Sequence, residues 1–252
     1  MRTWTNELPP VTVIVPSAGS PRFILFETSL ELLHVPAGSA HFRVVGARLC
    51  SNLNEAIRRS TTDYFWFIDD DHHFEPWILI RLLSHKLPIV MALTCLNKPP
   101  FSPVIYKVEQ EVQQANGKPG YLYLNFSWAD LDGRSGLFGL NGEVVASGRA
   151  GMLVHRAVLE AVGDPWFEYG QTATEEPGED LWFCRKARLK GYNVVVDLDM
   201  FHGHLAACAA WPYRKPDGSW CIRLDWGTGD PGIIINRKDR EQTQTVVVEQ
   251  RS

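Results

Sequence analysis

The chain has 252 residues and a formal net charge of −4, and 45% of its residues are hydrophobic against 21% that are charged. These values are typical of a globular protein that can bury a sizeable core, and a nearly balanced charge does not indicate a polyanionic partner. No stretch approaches the ~20 apolar residues of a membrane span, and the N-terminus lacks the apolar segment of a signal peptide. The five cysteines are odd in number and no two are separated by only two residues, which disfavours a disulfide framework or a zinc knuckle. We therefore expect a cytoplasmic protein without stable membrane association.

The first part of the chain alternates between apolar strands and helices. The patterns predict strands over 11–15, 41–46, 63–68 and 87–94, and helices over 22–33, 51–60 and 76–86. Such an alternation indicates an α/β fold with a mostly parallel central sheet flanked by helices. Ligands of these sheets bind at the carboxyl ends of the strands.

The second part is less regular. From 97 to about 142, prolines, a predicted hairpin at Asn116-Gly117 and a glycine-rich patch indicate strands and long loops over the site. We then predict a strand, a glycine turn and a helix over 144–163, a helix over 179–191 and a last core strand over 192–199. No linker divides the chain, so a single domain is expected.

Three consecutive carboxylates and two imidazoles follow the strand in FWFIDDDHHFEP. A single aspartate at a strand end is usually a turn or cap residue, but a turn gains nothing from the second and third charges. Asp69 and Asp71 point to the same side of an extended chain. Two oxygen ligands on one side suit Mg²⁺ or Mn²⁺.

Two further clusters bear on the site. Glu179 and Asp180 begin the helix of GEDLWFCRKA, where acids are favourable for the helix dipole alone, so a structural role stays open. FHGHL places His202 and His204 directly after a core strand. Beside a carboxylate pair at a neighbouring strand end, one of these histidines is a reasonable third metal ligand.

Seven segments in order over 11–205 resemble the A-fold (GT-A) nucleotide-sugar glycosyltransferases of the family-2-like group, in the compact soluble form found in phages and bacteria. The segments are VIVPSAGS, LCSNLNEAI, FWFIDDD, ASGRAGMLVHRAVLEAVG, PWFEYG, GEDLWFCRKARLKGY and VVVDLDMFHGHL. The resemblance implies one Rossmann-like GT-A domain over 1–252. Its parts would be a nucleotide-sugar-binding half at about 11–96, a loop- and hairpin-rich acceptor and catalytic half at about 97–205, and a C-terminal extension at 206–252.

The resemblance also implies roles for individual residues. Asp69, Asp71 and His204 would bind Mn²⁺ or Mg²⁺, with His202 as the alternative histidine, and His72 and His73 would only flank the motif. Asp180 would be the general base, with Glu179 beside it. The helix N-terminus would lower the pKa of Asp180, and burial or the donor phosphates would oppose that effect. The donor would contact Pro16, Ser17, Ala18, Arg48, Asn52, Asp69, Asp70 and Gly151. Trp166, Phe167 and Trp182 would form an apolar wall for a sugar, although core packing is at least as good an interpretation of Trp182.

The activity implied is a metal-dependent, inverting transfer of one sugar from a nucleotide-sugar, with a UDP-sugar as the first choice, to a hydroxyl acceptor. No aspartate precedes Asp63 to read a uracil ring, so the nucleobase stays open. The acceptor is open among a modified DNA base, a protein and a small molecule. The stretch WPYRKPDGSWCIRLDW could stack on a flipped base or form a hairpin that packs on the domain. The alternatives to a glycosyltransferase are a non-catalytic sugar- or nucleotide-binding module and a Mg²⁺-dependent nucleotidyltransferase.

Overall fold

A computed structural model of the protein describes residues 1–3, 7–17, 23–46, 48–97, 101–113, 119–170, 178–205, 209–225, 233–235 and 247–248. In these residues the chain forms six helices: α1 (Ile24–Leu32), α2 (Leu49–Arg59), α3 (Ile78–Ser84), α4 (Trp128–Leu131), α5 (Arg156–Val162) and α6 (Glu179–Leu189). The strands are β1 (Arg2–Thr3), β2 (Val11–Ser17), β3 (His34–Val35), β4 (Ala40–Val45), β5 (Tyr64–Phe67), β6 (His72–Phe74), β7 (Ile89–Leu93), β8 (Ile105–Gln113), β9 (Pro119–Asn125), β10 (Leu137–Phe138), β11 (Ala146–Ser147), β12 (Met152–His155), β13 (Val195–Leu205), β14 (Ala209–Arg214), β15 (Trp220–Asp225), β16 (Ile233–Ile235) and β17 (Val247–Val248).

The α/β interpretation is confirmed, but the large sheet is mixed. Its strand order is β17-β16-β15-β14-β13-β7-β12-β5-β2-β4, and β10 and β6 also pair with β13. The strands β4, β2, β5, β7 and β13 share one direction, whereas β12 runs antiparallel between β5 and β7. The expectation of a mostly parallel sheet is therefore corrected. The reason is local: β12 enters the sheet from a tight glycine turn instead of from a crossover helix, so its direction is reversed.

Side chains alternate between two cores, one on each face of the sheet. Phe65 and Phe67 of β5 join the core formed with α2, α5 and α6, whereas Trp66 and Ile68 join the core formed with α1 and α3. Because successive residues of a strand face opposite sides, an all-apolar strand can be buried on both faces. This burial fixes the strand and places the carboxylates that follow it at the edge of the sheet.

The C-terminal aromatic stretch forms a hairpin that packs on the domain. Strands β14 and β15 pair antiparallel, and Trp220 is only 2% exposed. Its ring packs beside Trp128 and Phe201, and its Nε1 donates to the carbonyl of Leu131 at 2.8 Å. Of the two interpretations of this stretch, the packed hairpin is the one observed.

Three smaller observations complete the fold. Strands β8 and β9 pair antiparallel, as the predicted hairpin requires, while Asn116-Gly117 itself lies outside the described residues. In the part of the chain that the structure describes, no helix is long and apolar enough to cross a membrane. The four cysteines found there are free thiols: Cys50, Cys95, Cys184 and Cys221.

Candidate functional site

The carboxylate segment turns back and becomes a strand of its own. After Ile68, whose N–H donates to the carbonyl of Ile14 at 3.1 Å, residues 69–71 form a turn and β6 pairs antiparallel with the far half of β13. In this register His72 lies opposite His204. FHGHL is thus part of β13 instead of a tail behind it, and the strand lengthens through an irregularity between Asp197 and Phe201. The pairing brings two distant histidine motifs together.

Asp71, His72 and His204 form the one cluster with metal-ligand potential among the described residues. One ligand atom of each lies within 4.8 Å of those of the other two. Oδ1 of Asp71 is 3.6 Å from Nε2 of His72, and its Oδ2 is 3.6 Å from Nε2 of His204. Both carboxylate oxygens therefore face imidazole nitrogens, and a divalent cation suits that arrangement.

The Nδ1 atoms of His72 and His204 each contact a further group. Nδ1 of His204 lies 3.1 Å from the carbonyl oxygen of Cys95, so this nitrogen donates and Nε2 keeps its lone pair. Nδ1 of His72 lies 2.9 Å from Nδ1 of His202. His202 is fully buried behind His72. His204 thus reaches Asp71, whereas His202 contacts His72 instead, and the choice of His204 as the metal ligand stays a prediction.

Burial keeps His72 and His202 neutral. Desolvation, with the neighbouring His202 and His204, lowers the pKa of His72 well below its usual value. Desolvation, followed by the charge of His204, lowers the pKa of His202 to about 3. Neutral imidazole is the form that binds a metal ion. His72 is therefore in the form that a cation requires at neutral pH.

Asp69 has a different partner from the one predicted. Its Oδ1 accepts a hydrogen bond from Nη2 of Arg149 at 2.6 Å, and it is not in the cluster around Asp71. Desolvation raises the pKa of Asp69, and the charge of Arg149 opposes that rise. The role of Asp69 as a metal ligand stays a prediction, whereas its ion pair with Arg149 is observed.

Arg149 also reaches the acidic helix start. Its Nε lies 3.5 Å from Oε1 of Glu179, and its backbone N–H donates to Oδ2 of Asp180 at 3.3 Å. Oδ1 of Asp180 accepts from the N–H of Leu181 at 2.8 Å. Gly178 leaves the room for this carboxylate, since a Cβ there would collide with Oδ1. The predicted catalytic pair and the strand-end carboxylates are therefore joined through one arginine.

Opposing effects set the pKa of Asp180. Desolvation, followed by the charge of Glu179, raises the pKa of Asp180 to about 6, against the lowering effect of Arg149. Burial was expected to oppose the lowering effect of the helix N-terminus on this pKa, and the raising effect of burial is the larger one.

A cleft of about 240 Å³ adjoins these groups. Its lining includes these predicted residues: Pro16, Ser17, Asn52, Asp69, Asp70 and Asp71. Arg149 also lines it, although no role was predicted for its side chain. Five of the eight predicted donor residues thus line one cleft beside the metal-ligand cluster: Pro16, Ser17, Asn52, Asp69 and Asp70.

Three predicted donor residues are placed differently. Ala18 lies outside the described residues, and Arg48 is an exposed residue at the start of α2 that does not line the cleft. Gly151, with a φ of +82°, backs His202, and a Cβ there would collide with the imidazole. Position 151 therefore requires a glycine, both because the imidazole of His202 lies so close and because the backbone φ is positive.

The predicted apolar wall is mainly structural. Phe167 is buried between Phe67 and Phe183, and Trp166 donates its Nε1 hydrogen to the carbonyl of Leu159 at 2.8 Å. Trp182 is half-buried against Tyr121 and Gly170. Core packing, which was the alternative for Trp182, is thus partial for that half-buried residue, whereas Phe167 lies in the core.

Two residues of the site were missed as functional residues. His72 was taken to flank the motif, because nothing in the sequence indicates that 72–74 would double back as a strand. Arg149 was read only as part of a glycine turn. A signal for Arg149 exists in principle, since one arginine between glycines beside a buried strand needs a counter-charge, and the carboxylates at 69–71 offer one.

Comparisons with known proteins add little. No protein-family model matches the chain, and no curated protein sequence matches it significantly. A crystal structure titled A197 from STIV aligns with 86% of this chain and 94% of that chain, at 14% sequence identity and a TM-score of 0.48. At this identity and TM-score the likeness indicates nothing about the activity of this protein.

Proposed function

We propose that the protein is a metal-dependent, inverting glycosyltransferase that moves one sugar from a nucleotide-sugar to a hydroxyl group. The proposal is supported by three features that lie together at one edge of the sheet. These are the cluster of Asp71, His72 and His204, the adjoining cleft, and the partly buried Asp180 that Arg149 joins to the cleft. The first is suited to a cation, the second to a small ligand, and the third to proton transfer.

The donor set of the cluster fits a divalent cation. One carboxylate and two imidazoles favour Mn²⁺ over Mg²⁺, since Mg²⁺ prefers an all-oxygen shell that keeps several waters. Asp71, His72 and His204 would hold the ion, and the carbonyl of Cys95 and the ring of His202 orient the two imidazoles. Such an ion, when bound, supplies positive charge that stabilises a departing nucleoside diphosphate.

Asp180 is the proposed general base. A carboxylate only has to accept the proton of the acceptor hydroxyl as that oxygen attacks, and a pKa of about 6 lies closer to neutral pH than that of an exposed aspartate. The N–H groups of Arg149 and Leu181 hold the two carboxylate oxygens in place. Glu179 lies next to it and pairs with Arg149, which suits an orienting role.

The donor would occupy the cleft. Pro16, Ser17 and Asn52 would lie along the nucleoside, and Asp69 and Asp70 would lie between it and the cation. A UDP-sugar remains the first choice of donor. The acceptor remains a modified DNA base, a protein or a small molecule, and the burial of Trp220 removes that ring as a platform for a flipped base. A cytoplasmic location is part of this proposal.

The test is a thermal-shift screen of nucleotide-sugars with and without Mn²⁺. The proposal expects at least one nucleotide-sugar to raise the melting temperature only when Mn²⁺ is present, and its nucleoside diphosphate to be released on incubation with an acceptor. Binding of a nucleotide-sugar without any turnover would favour a non-catalytic module. Release of pyrophosphate from a nucleoside triphosphate would identify a nucleotidyltransferase instead.

A further inference from the structure

Arg149 is a buried cation with unused hydrogen-bonding capacity. The residue is 6% exposed. Its Nη2 donates to Asp69 at 2.6 Å. Nε lies 3.5 Å from Oε1 of Glu179, an ion pair without a hydrogen bond, and the buried Nη1 has no hydrogen-bond acceptor within the described ranges. A guanidinium carries five N–H donors in a fixed plane, and leaving buried donors unpaired is costly. Some group that is absent from the free protein would therefore be a favourable partner.

The charges that line the cleft identify that partner. Among its described lining residues, Arg149 is the one positively charged side chain, against Asp69, Asp70 and Asp71. Arg149 pairs with both Asp69 and Glu179, and a divalent cation at Asp71 would add two positive charges to the cleft. The remaining N–H groups of Arg149 would then face a ligand in a site whose negative charge the cation has reduced.

We propose that Arg149 is an anion-binding residue that contacts a phosphate group of the ligand in this cleft, together with the cation at Asp71. A planar guanidinium matches the spacing of phosphate oxygens and makes charge-assisted hydrogen bonds to them. The inference rests on the proposed function for its choice of a diphosphate, but an anion site at Arg149 can exist without sugar transfer. Binding of the anion depends on the cation, because the cleft is negative without it.

The probe is a preformed 1:1 complex of Mn²⁺ and inorganic pyrophosphate, which carries no nucleobase or sugar. Replacing Arg149 alone would leave Asp69 and Glu179 buried without their counter-charge and is expected to destabilise the fold. The informative pair is therefore Asp69→Asn against Asp69→Asn/Arg149→Gln. Both proteins lack the buried carboxylate at 69, and they differ only in the guanidinium. Thermal unfolding of both establishes that they are folded before binding is compared.

Calorimetric titration of wild type and these two variants with the Mn²⁺–pyrophosphate complex tests whether Arg149 binds the anion. We expect Asp69→Asn to bind the complex at least as tightly as wild type, since Arg149 is released from its internal partner. The double variant should bind about 10- to 100-fold more weakly, which is the range for one hydrogen bond to a charged group. Equal affinity in the two variants, or no binding in any of the three proteins, would overturn the inference.

The same titrations separate this inference from the proposed function. Loss of pyrophosphate binding in the double variant, with no response of wild type to any nucleotide-sugar, keeps the anion site and removes the glycosyltransferase. A response of wild type to a nucleotide-sugar, with equal pyrophosphate affinity in the two variants, keeps the glycosyltransferase and removes Arg149 as an anion ligand.

Discussion

The Nδ1 atoms of His72 and His202 lie 2.9 Å apart, between β6 and the fully buried face of β13. Two ring nitrogens at this distance need one proton between them, so one ring donates and the other accepts. When His72 donates, its Nε2 keeps a lone pair on the side of Asp71. The core of the sheet thereby sets the state of a candidate metal ligand, and the following predictions test that arrangement.

Removing a ligand should abolish cation binding and leave the fold intact. We expect Asp71→Asn and His204→Ala each to weaken Mn²⁺ binding by more than about 100-fold, because changes in the outer shell alone already cost 10- to 100-fold. Calorimetric titration with Mn²⁺ measures the effect, and Mn²⁺-dependent donor binding should be lost with it. His73→Ala is the matched control, since His73 is the next residue of β6 and its Nδ1 lies 2.6 Å from the hydroxyl of Ser29 instead. Wild-type affinity in both ligand variants would remove the metal assignment.

His202 should act on the cation through His72. His202→Phe keeps a ring of similar size in the buried site but removes the nitrogen that faces His72. We expect the Mn²⁺ affinity to fall by about 10- to 100-fold, as for other outer-shell groups. The same titration measures it. An unchanged affinity would show that the contact between the two rings has no bearing on the cation.

Gly151 should also affect Mn²⁺ binding through the position of His202. Gly151→Ala places a Cβ against the ring of His202, whereas Gly191→Ala at φ +86° meets nothing within 4 Å. Both substitutions carry the strain of a left-handed backbone, about 1–2 kcal/mol, and only the first displaces His202. Urea unfolding should show a greater loss for Gly151→Ala, and Mn²⁺ affinity should fall only in that variant. Equal losses of stability and equal affinities would refute the link.

Asp180 should govern the rate of transfer. With its pKa raised to about 6 by burial, the ionised form that a base requires increases as the pH rises through ~6, and the rate should rise with it. Asp180→Asn should bind metal and donor nearly as well as wild type and transfer sugar about 10²- to 10⁴-fold more slowly, without that pH dependence. Single-turnover transfer at saturating donor is the measurement. A wild-type rate in the variant would exclude Asp180 as the general base and indicate either Glu179 in that role or a retaining mechanism.

The same pKa has a consequence for stability. Because the pKa of Asp180 is raised from 3.8 to about 6 by burial, the folded state binds more protons than the unfolded state in this window. The stability contributed by the neutral side chain is complete below 3.8 and is lost as the pH rises through 6. Asp180→Asn lacks this loss, so its stability relative to wild type should increase between pH 4 and pH 6.5 and then level off. Urea unfolding of both proteins across this range tests the trend, and a constant or decreasing difference would contradict the raised pKa.

The sequence predicted the strands and helices well where apolar runs decide them. The strands predicted over 63–68 and 87–94 correspond to β5 (Tyr64–Phe67) and β7 (Ile89–Leu93). They could be predicted because a strand that is buried on both faces is a nearly continuous apolar run. The direction of β12 was not predictable, since a strand of four residues has the same composition in either direction. The direction of β12 is set by the turn before the strand and by the strands on either side of it.

The candidate site was predictable in part. Asp71, His204 and Asp180 follow from motifs at strand and helix ends, and the structure brings each to the same edge of the sheet. The part played by His72 depends on the register of β6 against β13, a long-range pairing that no local pattern encodes. The pKa of Asp180 depends on burial among charges that come from three separate segments, so the sequence could name the opposing effects of the helix dipole and burial but not the larger one.

The most direct measurement is the release of nucleoside diphosphate from the nucleotide-sugar that passes the thermal-shift screen, followed by ³¹P NMR with Mn²⁺ present. The proposed function predicts time-dependent release by wild type, faster with a hydroxyl acceptor than with water alone. It also predicts that this release is lost in Asp71→Asn and retained in His73→Ala. Release by Asp71→Asn at the wild-type rate, or no release by wild type from any nucleotide-sugar, would contradict the assignment as a metal-dependent glycosyltransferase.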